Sequence, residues 1–141
     1  MSASAIFLPA VAMVALTIAV LFQMFFERRR QVLAEAIHMR EIPSSSQMAS
    51  RFVDTRGADN YRNLFEMPVL FYVALVVAFV TSQVTPLVLG LAWGYVAFRV
   101  LHSFIHCTYN RVMHRFYAFL ASNVLLWTMW GVLSVGLLRS A

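Results

Sequence analysis

Four long apolar stretches, separated by polar and charged segments, organise the chain. The first covers 5–26 without a charged residue and ends abruptly at Glu27-Arg28-Arg29-Arg30. The second covers 63–84, with Glu66 near its start, and closes on Ser82-Gln83-Val84-Thr85-Pro86. The third, 87–107, is interrupted by Arg99, His102 and His106, and the fourth, 115–138, lies between Arg115 and Arg139. A bilayer core about 30 Å thick needs roughly 20 helical residues to cross, so each stretch predicts a transmembrane helix. In the first, positive charge follows the apolar run instead of preceding it, which is the pattern of a span and not of a signal peptide. Short connections after the second and third spans imply antiparallel neighbours. The predicted fold class is an all-α integral membrane four-helix bundle, one domain over 1–141 with a long loop at 27–60.

That loop has internal texture. Leu33, Ala36, Ile37 and Arg40 keep three-four spacing, so the first helix is expected to continue past the membrane until Ile42-Pro43-Ser44-Ser45-Ser46 breaks it. Asp54 or Asp59 is the candidate N-cap of the second helix, because a carboxylate accepts from free backbone N–H groups and suits the positive end of the helix dipole.

Composition agrees with this layout. Hydrophobic residues make up 61% and charged residues 12% of the chain, and the mean hydropathy is +0.73. The net charge of +5 comes from arginine, since the chain has no lysine. The arginines flank apolar runs and form no polar face, which speaks for lipid headgroups and against nucleic acid. Arg28, Arg29, Arg30, Arg40, Arg51, Arg56 and Arg62 fall in or beside the first loop, and Arg111 and Arg115 in the loop before the fourth span. By the positive-inside rule these two loops are cytoplasmic and both termini lie outside. Cys107 is the single cysteine, so no internal disulfide forms, and it reads as a packing residue.

An ionisable residue inside a membrane costs several kcal/mol unless it is paired or faces a wet cavity. Glu66, Arg99, His102, His106 and Arg115 are such residues, and the topology puts all five near the cytoplasmic boundary. On a helix Arg99, His102 and His106 fall within about 60° of one another, and Asn63 and Glu66 share a face of the second span. Two readings follow. One is a salt-bridge network, Glu66 with Arg99 or Arg115, that keeps the helices in register. The other is an anionic-ligand pocket, because the guanidinium fork suits carboxylates. Pro68 is expected to free a carbonyl and loosen the helix beside Glu66. His102 and His106 have metal-ligand spacing, but one pair without further His or Cys ligands assigns no metal site. His38 and His114 read as headgroup-level residues.

These residues resemble the MAPEG family, the membrane-associated proteins of eicosanoid and glutathione metabolism, over nearly the whole chain. Asn63-Leu64-Phe65-Glu66 is similar to the family's Asn-x-x-Glu signature on the second helix. Arg99-x-x-His102-x-x-x-His106 is similar to its third-helix pattern, with histidines where tyrosines are usual. Arg115 stands where its glutathione transferases and leukotriene synthase carry a thiol-activating arginine. Asp59 stands where many members have an arginine, and the chain looks closest to the bacterial branch, which implies a bacterial inner membrane. The resemblance implies a homotrimer with glutathione as co-substrate. Asn63, Glu66, Arg99, His102, His106 and Arg30 would hold the peptide, and Arg115 would stabilise its thiolate. Lipid and a lipophilic electrophile are the other implied partners. Two functions fit: a glutathione-dependent transferase or peroxidase acting on lipophilic electrophiles, or a non-catalytic family member that binds lipid or a membrane partner.

Overall fold

The computed structural model of the protein describes residues 2–35 and 55–140. His38, Asp54, the break at 42–46 and the stretch 36–40 lie outside the described residues. Among the described residues the fold is entirely helical. A 3₁₀ turn, Ala3–Phe7, leads into α1 (Leu8–Glu35); α2 (Arg56–Asn63), α3 (Met67–Val80), α4 (Pro86–Cys107) and α5 (Val112–Ser140) follow. Among the described residues four helical stretches are long and apolar enough to cross a membrane: Ala3–Ala34, Arg56–Val80, Pro86–Cys107 and Val112–Ser140.

The second stretch is two helices, with a break at Leu64–Glu66 between α2 and α3. Pro68 sits in the first turn of α3, where a missing N–H costs nothing and the fixed φ suits the helix start. Its effect is therefore to start α3 and not to loosen the interior of a longer helix. α2 occupies the end of the segment expected as loop, and its N-cap is Thr55, not Asp59. Asp59 lies within the first turn and accepts a hydrogen bond from the Thr55 hydroxyl at 2.8 Å. Helix α2 begins earlier than the apolar pattern suggests because tertiary contacts, not apolar periodicity, hold it.

Those contacts are polar and specific. The Glu27 carboxylate of α1 accepts from Gly57 N at 2.9 Å and from Gln23 Nε2 at 3.0 Å. Asn60, fully buried, donates to Cys107 Sγ at 3.2 Å and accepts from the Ser103 hydroxyl at 3.2 Å. Arg56 Nη1 donates to the Thr108 carbonyl at 2.7 Å. The approach of α2 to α1 requires glycine: a Cβ on Gly57 would stand 2.9 Å from Met24 Cα, a backbone atom that cannot rotate away. Gly57→Ala is thus expected to cost about 1–3 kcal/mol by overpacking, read as a lower thermal midpoint in detergent. Gly90→Ala, on α4 with nothing within 4 Å of the added carbon, should be neutral or mildly stabilising through helix propensity. Equal melting of the two variants would show that α2 does not dock on α1 in this way.

Turns at the helix ends set the antiparallel path. After α3, Gln83 N bonds Ala78 O at 2.8 Å and Ser82 takes a left-handed φ of 56°, which closes a Schellman-type turn. Thr85 then caps α4, its hydroxyl accepting from Val88 N at 3.2 Å, with Pro86 in the first turn. Asn110, at φ 46°, makes the tight reversal between α4 and α5; asparagine tolerates that region better than most residues. The core packs Phe71, Ala74 and Leu75 of α3 against Val88, Ala92 and Tyr95 of α4, with Leu126 and Met129 of α5 closing it. Large apolar side chains such as Val11, Phe22, Val73, Phe104 and Trp127 are exposed on the outer faces. A helix pairs most of its backbone groups within its own segment, so those apolar faces suit lipid, and the protein is an integral membrane protein.

Candidate functional site

The face of α4 that carries Arg99, His102 and His106 turns into the bundle. The three side chains are 0%, 2% and 2% exposed. Arg115, in the first turn of α5, is half-buried beside them. Its Nη1 donates to His106 Nε2 at 2.8 Å and to Asn110 Oδ1 at 3.1 Å. Because arginine can only donate, His106 Nε2 is the acceptor and the ring proton of neutral His106 sits on Nδ1. His102 Nδ1 lies 3.1 Å from the Arg115 carbonyl, so that nitrogen carries the proton and Nε2 of the neutral ring keeps a free lone pair.

Arg99 is the largest fully buried side chain. Its Nη2 donates to the backbone carbonyl of Asn63, the last residue of α2, at 2.7 Å. Its guanidinium carbon stands 5.8 Å above the Phe119 ring, within cation–π range. Nε and Nη1 have no partner. Among the described residues no carboxylate is within ion-pair distance of Arg99 or Arg115; Glu66 acts on Arg99 only at longer range. The salt-bridge network weighed from sequence is therefore not what these arginines form. Glu66 is exposed at the N-cap of α3, because the break before it turns the side chain away from α4. The exchange of an expected ion pair for a carbonyl contact follows from the same break.

Asn63, His102, Arg115, Phe116, Phe119 and Val112 line a cavity of about 220 Å³. Four sequence candidates thus converge: Asn63, His102 and Arg115 on the cavity wall, and His106 as the anchor of Arg115. Arg99 lies behind the wall, against Phe119. Arg30 is exposed on α1 and does not line the cavity. Asp59 is exposed on α2 and does not line the cavity. Reasoning restricted to the Glu, Arg and His residues of the spans misses Asn110, which fixes Arg115, and also Tyr95 and Asn123, buried groups whose Oη and Oδ1 have no partner. A lone amide or phenol within an apolar span is itself a signal, because desolvating it without a hydrogen bond is costly.

A family comparison decides the assignment: residues 6–135 match the model of the MAPEG family. The chain belongs to the MAPEG family. Among curated proteins and among solved structures no match was found. The MAPEG assignment covers all four spans and every residue of the cluster, so the site is part of the family's own fold and no addition to it. This MAPEG protein is accordingly a membrane protein of a family that works in eicosanoid and glutathione metabolism.

The cluster's chemistry is that of an anion site. Two guanidinium groups, uncompensated by any described carboxylate, stand at the same end of the bundle, one reachable through the cavity and one sealed. Arg115 is held by an imidazole and a side-chain amide and Arg99 by a backbone carbonyl, none of which cancels the charge. A cation positioned in this way stabilises a carboxylate or a thiolate.

Proposed function

We propose that this MAPEG protein is a glutathione-dependent transferase or peroxidase acting on lipophilic electrophiles, with Arg115 as the residue that activates the thiol. The observation that carries the reading is Arg115 itself, a half-buried cation on a cavity wall. It is clamped by His106 and Asn110, and among the described residues no carboxylate neutralises it. A thiol next to a fixed positive charge ionises more readily, and the thiolate is the nucleophile. In the transferase reaction the thiol proton leaves to water at the arginine-bearing end. The sulfur then forms a bond to the electrophilic carbon as the leaving group departs with its electron pair. Asn63 and His102, on the cavity wall, are the groups closest to the peptide, with Arg99 behind them and Glu66 and Arg30 at the periphery.

A lipophilic co-substrate is supported by a second cavity. A groove of about 820 Å³ runs between α4 and α5, lined by Phe98, Leu101, Ile105, Tyr117, Ala121 and Leu125 among others. It opens on the outer face and ends at the Tyr109–His114 pair, which is joined at 3.2 Å. The non-catalytic reading would have Glu66 neutralise the arginines; its exposed position favours the enzyme. The family's usual trimer and a cytoplasmic arginine-bearing face, with both termini across a bacterial inner membrane, complete the proposal.

The test is a thermal melt of the detergent-purified protein with glutathione, followed by conjugation of glutathione to an activated chloroarene. At about 100 times its dissociation constant glutathione should stabilise the fold by roughly 2.7 kcal/mol, and chloride release should exceed the uncatalysed rate. No shift at saturating glutathione, together with no conjugation, would end this reading.

A further inference from the structure

The groove between α4 and α5 has two ends of different chemistry. Phe98, Leu101 and Ile105 of α4 and Ala118, Ala121 and Leu125 of α5 form apolar walls. Tyr109 and His114 close it at the α4–α5 reversal, with Tyr109 Oη 3.2 Å from His114 Nδ1. If the phenol donates there, the neutral imidazole keeps its proton on Nε2; if Nδ1 donates, the phenol proton is left over. Either way the pair retains one donor that it does not use internally. Arg111 is exposed in the same reversal, and no Asp or Glu follows Glu66 in the chain. The α4–α5 hairpin therefore carries positive charge and no negative side chain. From His114 to Leu125 helix α5 rises about 16 Å, roughly half of the ~30 Å hydrocarbon core. The groove is one leaflet deep, and its polar end lies between two spans, at the level of the headgroups.

An acyl chain that moves from the bilayer into this groove gains no hydrophobic energy, because lipid is as apolar as the walls. An empty groove would forfeit dispersion contacts along both walls, so a chain fills it, and the head decides which lipid stays. We infer that the α4–α5 groove holds one acyl chain of an anionic phospholipid, with the headgroup phosphate at Tyr109, Arg111 and His114. Phosphate oxygens accept from a guanidinium and from neutral O–H and N–H donors, and this end supplies all of these. A zwitterionic head would bring its own cation to a hairpin that has no carboxylate to receive it. A lipophilic co-substrate that uses the groove must displace this chain. The lipid site stands without the glutathione reading, and each can fail alone.

The experiment titrates the full-length protein in detergent with phosphatidylglycerol, with phosphatidylcholine of the same acyl chains, and with inorganic phosphate. Thermal shift and native mass spectrometry read the binding. Phosphatidylglycerol should raise the melting midpoint and persist as an adduct at about fivefold lower concentration than phosphatidylcholine. Inorganic phosphate, which has no chain, should do neither. Arg111→Gln combined with His114→Gln, both at exposed positions, should make the two lipids equivalent. Arg29→Gln, exposed on α1, should keep the preference. Ala121→Phe fills the groove and should lose the lipid adduct. Equal response of the wild type to both lipids, or a preference that survives the double variant, overturns the proposal. So does an Ala121→Phe protein that retains phosphatidylglycerol, or an equal shift with inorganic phosphate. A wild type without lipid adduct, whose oligomer dissociates on Ala121→Phe, assigns the groove to a second copy of the chain and overturns it as well.

Discussion

Arg115→Ala is expected to lower kcat/KM for glutathione conjugation by about a hundredfold near neutral pH. Two unit charges at 4 Å interact by about 4 kcal/mol at an effective dielectric constant of 20, and desolvation takes back part of that. A net gain near 2.7 kcal/mol corresponds to a hundredfold in rate. The pH profile separates this role from a packing effect. A neighbouring cation lowers the pKa of the bound thiol, so removing it moves that pKa up toward the free value near 8.5. The loss in rate should therefore be largest below pH 7 and shrink as the medium approaches pH 9, where the thiol ionises unaided. Arg115→Lys keeps the charge but cannot reproduce the paired donation to His106 and Asn110, so it should recover only part of the rate. A variant that lost activity equally at all pH values would point to a structural role, and full activity in Arg115→Ala would remove Arg115 from the mechanism.

Arg99→Met should raise stability and abolish glutathione binding in the same protein. The Arg99 charge is fully buried and has no counter-charge among the described residues. One hydrogen bond to a carbonyl contributes about 1.5–3 kcal/mol and the Phe119 contact about 0.5–2 kcal/mol. These do not offset the several kcal/mol that burying an ion costs. Methionine has similar reach, no charge and a favourable sulfur–aromatic contact with Phe119. The freed carbonyl belongs to Asn63, at the end of α2, a residue that lines the cavity. The expected outcome is a gain of about 1–2 kcal/mol in the absence of ligand, at the low end of the range for replaced buried ions, and no further shift on adding glutathione. A methionine variant that melts lower than wild type and still responds to glutathione would show that Arg99 is structural. The general point is that a residue which destabilises its own fold persists because a ligand completes it.

The four spans were legible in the sequence because membrane crossing is a matter of length and hydropathy, and both are local. The common face of Arg99, His102 and His106 was legible for a similar reason: helical periodicity alone places i, i+3 and i+7 together. The resemblance to the MAPEG family, carried by Asn63, Glu66, Arg99 and Arg115, was likewise read from order and spacing, and the family match extends over 6–135. Partner choice was not legible. The sequence offered Glu66 as the natural mate of an arginine, yet the break at 64–66 exposes it, and the Asn63 carbonyl takes its place. Neither could the sequence place Arg115 on His106, since that pairing depends on how α5 leaves the reversal at Asn110.

Sequence by itself determined a four-span membrane bundle, with all its arginines except Arg139 expected toward one end and a polar stripe on the third crossing. Apolar length, charge placement and helical period each act within a single segment, so they need no knowledge of neighbours. Only the tertiary structure decided that α2 is a separate helix docked through Gly57 and Asn60, and that Arg99 is sealed while Arg115 stays reachable. It also decided that Tyr95 and Asn123 are buried with a polar atom left unpaired on each. Those outcomes are set by the rotation and close approach of helices far apart in the chain, where one backbone contact or one missing Cβ outweighs any local preference.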